Sequence, residues 1–390
     1  MNTRRFTILA FIFAIVALIM GFSACDQIGQ LLVPAPPQME GLRGEISIGF
    51  ILPQTGPLGS SGIAMQQGTQ LAVGEINNAQ ISNVRIKLIT EDDRSTVEGA
   101  IGAVNKLIHQ DGVPVILGLA TSSETKEVFP IAHKNQVVAF SQLSAARGLS
   151  ELSDFGFRAS LTVDKLVPIG VQTTHEKLGY QRVAKIADSI DFFSQSSDTM
   201  LTESLNAIGI EILITETFET GETDYSTQLT RIKESNPDAI FISALPPETT
   251  KILIQGRQLG IPADIPFIVT ITLASDQIQI LGDAAEGAIT FTSWISTAKT
   301  PGNQAFVQNY NMRYGVEPNI WAAQSYASVY ILAKAIADVQ STNPVKIRDA
   351  MANIMDLDTV LGKFSFDAVG DAVYNPIVLI VKNGQLQVFE

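Results

Sequence analysis

The sequence predicts an α/β fold of two lobes, each built on a parallel sheet, and three observations carry that expectation. At 390 residues the chain is longer than one compact domain ordinarily needs. Apolar stretches of strand length alternate with stretches of helical period from Glu45 onward, and the alternation restarts near Asp164. Hydrophobic residues make up 46% and charged residues 17%, which supplies two sizeable cores and is too apolar for a disordered chain.

In the first unit Ile46, Ile48, Phe50 and Leu52 alternate as one face of a strand, and the Gly/Pro-rich turn from Gln54 to Gly62 opens a helix carrying Met65, Leu71, Ala72 and Ile76. Val84, Ile86 and Leu88 form a second strand. Val97, Ile101, Val104 and Ile108 recur at helical spacing. A strand from Val113 to Leu117, a helix from about Ser123 and a strand from Val137 to Phe140 complete a βαβα succession, which calls for parallel pairing. The second unit repeats the scheme. Helices at 164–178, 194–208, 225–234 and 248–259 separate strands at 183–187, 210–214, 239–243 and 267–270. Helices at 304–314 and 321–339 follow, then strand-like segments at 363–366 and 373–388, with Asn383-Gly384 as a two-residue hairpin turn.

The N-terminus has a separate character. Arg4 and Arg5 precede an apolar run, Phe6 to Phe22, followed by Ser23, Ala24 and Cys25. That order reads as an export signal ending at a lipid-modified cysteine, with retention of the run as a membrane anchor as the other reading. Cys25 is the only cysteine, so no internal disulfide can form, and lipidation would account for a lone thiol on an exported protein. Residues 1–25 are thus expected to be a lipoprotein signal peptide and residues 26–44, rich in Pro and Gly, a flexible tether. A net charge of −13 repels a phosphate backbone and argues against nucleic acid as a partner.

An open parallel sheet binds ligands beyond the carboxyl ends of its strands, which directs attention to the loops there. Those of the first unit are Gln54 to Ser61, Glu91 to Ser95, Ala120 to Thr125 and Ser141 to Ala146. Those of the second are Asp188 to Ser194, Ala244 to Glu248 and Thr270 to Ala274. Their hydroxyl, amide and small residues suit a neutral or zwitterionic solute better than a polyphosphate. Along these loops run Ile48-Gly49-Phe50 with Thr55-Gly56-Pro57 and Gly62, Glu91-Asp92-Asp93, Gly118 with Ser122-Ser123, Ser141, Asp224-Tyr225-Ser226, and Leu361-Gly362 with Phe366-Asp367. In this order and spacing the chain, from about Glu45 to Phe389, resembles the branched-chain amino acid (Leu/Ile/Val)-binding proteins, the type I periplasmic binding proteins of ABC transporters.

The resemblance implies two Rossmann-like lobes, 45–162 with 293–361 and 163–292 with 362–390, joined by a three-segment hinge near residues 161–164, 291–293 and 361–363. It implies an ABC permease as partner, an amino-acid-like, amide or carboxylate ligand, membrane attachment through lipid on Cys25, an extracytoplasmic location, no cofactor or metal, and no enzymatic activity. A ligand-sensing receptor domain of the same fold is the alternative, with an enzyme on an α/β scaffold as a remoter one. It also implies a ligand set: Ser61, Ser122, Ser123, Leu143, Ser144, Ala145, Phe193, Leu245, Glu248 and Thr270. Ser122 matches the serine that holds a ligand carboxylate at a helix start, where unpaired N–H groups and the helix dipole favour an anion. Beside this stands a plain capping role, since Thr121 with Glu124 makes a capping box. Ala145 falls where a threonine is common. Phe193 stands where a tyrosine closes over the ligand, or is a core residue at a helix start. Leu245 replaces a tyrosine, and Thr270-Ile271-Thr272 lacks the acid that neutralises a ligand ammonium. Either Glu248 or another acid takes that role, or the ligand is not an ordinary α-amino acid.

Enzymatic motifs are sparse. Ser123-Glu124-Thr125-Lys126 fits S-x-x-K, but S-D-N and K-T-G do not occur. His109, His133 and His175 are the only histidines and lie in helical stretches. No zinc or P-loop pattern occurs, and Glu91-Asp92-Asp93 reads as a solvated or capping strand end rather than a metal site.

Overall fold

Alternation sends Ile46, Ile48, Phe50 and Leu52 of strand β1 (Gly44–Leu52) into one core and Ile51 into another. The first sheet is therefore covered on both faces, as a parallel sheet must be. This is seen in a computed structural model that describes residues 44–79, 84–271 and 273–390. The expected signal peptide, Cys25 and all but the last residue of the expected tether lie outside the described residues. No described helix is long and apolar enough to cross a membrane.

Helix α1 (Gly59–Asn78), β2 (Val84–Asp92), α2 (Val97–His109), β3 (Val115–Gly118), α3 (Ser122–Asn135), β4 (Val138–Ser141) and β5 (Gly156–Arg158) follow. The strands pair in parallel in the order β2-β1-β3-β4-β5. Val104 and Leu107 of α2 and Val128 and Phe129 of α3 cover the face that carries Ile51, Ile116 and Ala139. Beyond α4 (Val163–Leu178) the chain builds a second sheet from β6 (Arg182–Asp188), α5 (Phe192–Ala207), β7 (Glu211–Phe218), α6 (Ser226–Glu234), β8 (Ala239–Ser243), α7 (Pro246–Gln258), β9 (Phe267–Val269), α8 (Ser275–Leu281) and β10 (Ile289–Thr292).

After β10 the chain returns to the first core. Phe306 of α9 (Asn303–Tyr314), Tyr326, Ile331 and Leu332 of α10 (Ile320–Val339) and Ile347 of α11 (Pro344–Ala352) pack with Phe50 and Met65. Strands β11 (Leu357–Thr359), β12 (Gly362–Phe366) and β13 (Ala372–Val373) make a small antiparallel sheet. Then β14 (Ile377–Lys382) and β15 (Gln385–Val388) close the second sheet as an antiparallel edge, in the order β15-β14-β10-β9-β8-β6-β7. Asn383 and Gly384 both take positive φ, 54° and 69°, as the two-residue hairpin requires.

One expectation needs correction. Residues 362–374 do not belong to the second lobe, because Phe364, Phe366, Ala372 and Tyr374 are buried in the first core; the passage to the second sheet comes between Tyr374 and Ile377. The third crossing is accordingly there and not at Leu361 to Lys363. Phe291 is a core residue of β10, and the second crossing runs on from Ser293. Short strands beside a turn, such as β12 and β13, carry little periodicity to show which core they join.

The three crossings meet at one side chain. The Tyr374 hydroxyl donates to the Ala159 carbonyl at 3.0 Å, just before the first crossing, lies 3.1 Å from the Ser293 hydroxyl in the second, and is 3.4 Å from the Gln324 amide of α10.

Arg158 at the end of β5 is fully buried. It donates to Asp371 at 2.7 Å, to Ser150 and to the Ala146 carbonyl. It thereby ties the small sheet to the fourth loop. Asp371→Ala leaves this guanidinium buried without its counter-charge, so urea unfolding should show a loss of about 3–5 kcal/mol.

Candidate functional site

Strand β3 ends where only glycine fits. Gly118 has φ +119°, and a Cβ there would stand 1.9 Å from the Ile51 carbonyl oxygen of the neighbouring strand. Leu119 follows with φ 59°. The chain then turns into α3 through a complete capping box: the Thr121 hydroxyl accepts from the Glu124 N–H, and the Glu124 carboxylate accepts from the Thr121 N–H. Ser122, next along, accepts from the N–H groups of Ala145 at 3.2 Å and Ala146 at 3.1 Å. One hydroxyl thus fastens the start of α3 to the fourth loop. Among the described residues its hydrogen has no acceptor, nor do the N–H groups of Ser122 and Ser123, the orphan donors of a helix start.

Beneath this helix start lie two buried acids. Asp93 accepts from the Ser95 N–H through Oδ1, while its Oδ2 and the Glu124 Oε1 are buried without a partner among the described residues. Burial raises the pKa of both, and the Asp93 charge adds to the rise at Glu124. The pair holds a proton into the neutral range. The expected solvated strand end is therefore only partly so. Asp92 accepts from Gln54 N–H, Arg94 N–H and the Thr55 hydroxyl, and Glu91 pairs with Lys106, but Asp93 is turned inward by the loop.

The lobes meet around Ser123. Its hydroxyl donates to Asp191 at 3.2 Å and accepts from the Phe192 N–H at 3.3 Å, while the Arg147 N–H donates to the Ser196 hydroxyl at 3.0 Å. Next to these contacts is an enclosed space lined by Ala145, Leu161, Leu166, Phe193, Ile271 and Trp321, with Ser160, Thr292, Ser293 and Gln324 as its polar members. Its volume is about 30 Å³, room for roughly two water molecules.

Of the residues singled out from sequence, Ala145 and Phe193 face each other here, and Leu245 packs against the same cluster. Ser123 bridges the lobes. Leu143 is buried in the first core, and the Ser144 hydroxyl is 2.6 Å from that of Ser141. Ser61 is buried in the first turn of α1. Glu248 is turned away toward the Gly221 N–H, its pKa raised by burial. Thr270 is fully buried and takes the Ser197 hydroxyl at 2.7 Å, so Ile271, one residue on, lines the space in its place. Trp321, Gln324 and Ser160 were missed. Trp321 and Gln324 lie on α10, away from any loop after a strand, and Ser160 follows β5, a three-residue strand too short to show a period in the sequence. A wider groove of about 400 Å³ runs past Trp294, Glu317, Asn319 and Ile278. No loop that follows β1 to β4 reaches it.

The sequence matches the family model described as "Periplasmic binding protein" over residues 45–383. The chain belongs to that family. Its members are solute-binding proteins, and membership implies an extracytoplasmic location. The chain is 26% identical to Leu/Ile/Val-binding protein homolog 1 of Brucella suis biovar 1, covering 84% of this chain and 87% of that one. Among solved structures it is similar to the branched-chain amino acid transporter substrate-binding protein LivJ of Streptococcus pneumoniae in complex with isoleucine: TM-score 0.82, 28% identity, 88% of this chain and 98% of the other. The solute-binding protein of an ABC transporter from Rhodopseudomonas palustris, in complex with 3,4-dihydroxybenzoic acid, shares the fold at TM-score 0.80 and 21% identity, covering 88% and 95%. The two-lobed type I periplasmic binding protein fold expected from sequence is thus the fold observed.

Two outcomes test this geometry. Ser122→Ala strands two buried N–H groups and should lower stability by about 1–3 kcal/mol in urea unfolding. A carboxyl whose pKa rises on folding binds more protons folded than unfolded, so the stability it confers is complete below its unfolded pKa, near pH 4, and is lost as pH climbs into the neutral range. Urea unfolding should therefore give a stability higher at pH 5 than at pH 8, by on the order of 2 kcal/mol from this pair. Glu124→Gln keeps the capping oxygen, removes one of the two coupled carboxyls and should flatten that dependence.

Proposed function

We propose that this chain is the solute-capturing subunit of an ABC importer, holding a small carboxylate-bearing or amide ligand between its lobes and delivering it to a membrane permease. The observation that carries the reading is the start of α3. Ser122, unpaired helix N–H groups and the amides of the fourth loop stand at the carboxyl ends of the first sheet, and Ala145 of that loop lines the enclosed space together with Phe193 of the second lobe. The family membership and the isoleucine held by LivJ support it.

A space of about 30 Å³ admits no such solute, so loading requires the lobes to part about the crossings and close again. Ligand then favours the closed form only by its preference for that form over the open one. Lipid on Cys25 would hold the molecule beside its permease.

Thermal unfolding with amino acids, amides and small carboxylates tests the reading. A true ligand at a hundred times its Kd should add about 2.7 kcal/mol of stability. A screen with no stabilising compound at saturating concentration would remove the proposal. Cys25→Ser should move the protein from the membrane fraction to the soluble one; persistence in the membrane points to an uncleaved anchor.

A further inference from the structure

Resting on the solute-binding reading, we propose that Tyr374 is a positioning residue for capture: its hydroxyl ties the polar wall of the enclosed space to the crossings between the lobes and so sets how readily the lobes part. Its ring is fixed in the first core, 5.8 Å from that of Phe364. The oxygen is therefore placed by packing, and whatever bonds to it is placed in turn. Ala159, just before the first crossing, accepts the hydroxyl hydrogen at 3.0 Å, and Tyr374 itself stands where the third crossing begins. Ser293 of the second crossing and Gln324 of α10 lie 3.1 Å and 3.4 Å from the same oxygen, and both line the enclosed space. Ser293 thus belongs both to the crossings and to the wall.

Packing alone does not hold these crossings in place. Ser293, Tyr374 and Asn375 also line a groove of about 330 Å³ beside Thr300 and Lys363, so the second and third crossings have open space to bend into. Ser293 directly follows β10 of the second sheet, and a swing of that sheet moves it relative to an oxygen anchored in the first core. The bonded set is complete in the arrangement in which Ser123 reaches Asp191 and Phe192, and Arg147 reaches Ser196. Parting the lobes therefore works against the Tyr374 hydroxyl. A polar group of a solute entering the space meets Ser293 and Gln324, the side chains that the hydroxyl holds, so occupancy and lobe angle act on one set of bonds.

Deuterium exchange of the purified full chain, without solute, tests this at two amides, because the Phe192 and Arg147 N–H groups donate across the gap and are freed when the lobes part. Tyr374→Phe keeps the ring and removes the oxygen; Ser293→Ala removes the hydroxyl at the other end of the link. Each should speed exchange at both amides by at least about five-fold, the equivalent of about one hydrogen bond. The double variant should match Tyr374→Phe within about two-fold, since both changes break the same link. A hydroxyl that only stabilised the first lobe would speed exchange in β3, whose amides are released by unfolding, and leave Phe192 and Arg147 unchanged. That result overturns the inference, as does a double variant showing the product of the two single effects. Both outcomes leave the solute-binding reading in place, because no solute is used and the thermal screen judges that reading separately.

Discussion

The Tyr374 hydroxyl has one hydrogen to give and two lone pairs to fill, and the fold uses all three. It donates to the Ala159 carbonyl and can receive the Ser293 hydroxyl and the Gln324 amide, so three separate chain crossings are gathered at one buried atom. Two lobes linked by three segments move freely about one another only when the segments share an axis; spread apart, they would lock the lobes. A common anchor point lets the sheets keep their own cores while the angle between them changes. The rest of the proposed mechanism depends on this joint, because the loops that meet across the gap come from strands whose positions it sets.

The start of α3 is the second place where several demands fall on few atoms. Gly118 lets β3 run close against β1, the capping box starts the helix, Ser122 ties it to the fourth loop, and Ser123 reaches the other lobe. Beneath it a buried acid pair holds a proton where two bare charges would repel. The same short stretch therefore carries fold stability and a sensitivity to pH.

Much of this was legible in the sequence. Long alternations and helical stripes declared the two parallel sheets, Asn383-Gly384 declared its hairpin, and Thr121 with Glu124 declared the cap. What escaped was decided by tertiary contact. Residues 362–374 form strands too short to show a period, and burial of Phe364 and Phe366 in the first core decides which lobe they join. Thr270 and Ile271 differ by one position, and along a strand end one position exchanges the inside of the lobe for its surface. The buried state of Asp93 had no local signal at all, since its neighbours Glu91 and Asp92 are more exposed.

The direct contacts across the start of α3 set a threshold for any separation of the halves. Ser123 reaches Asp191 and Phe192, and Arg147 reaches Ser196, so parting the lobes at this edge breaks all three hydrogen bonds together. At about 0.5–1.5 kcal/mol for each such bond, the latch is weak enough to be overcome by the affinity of a small guest and strong enough to bias the resting angle.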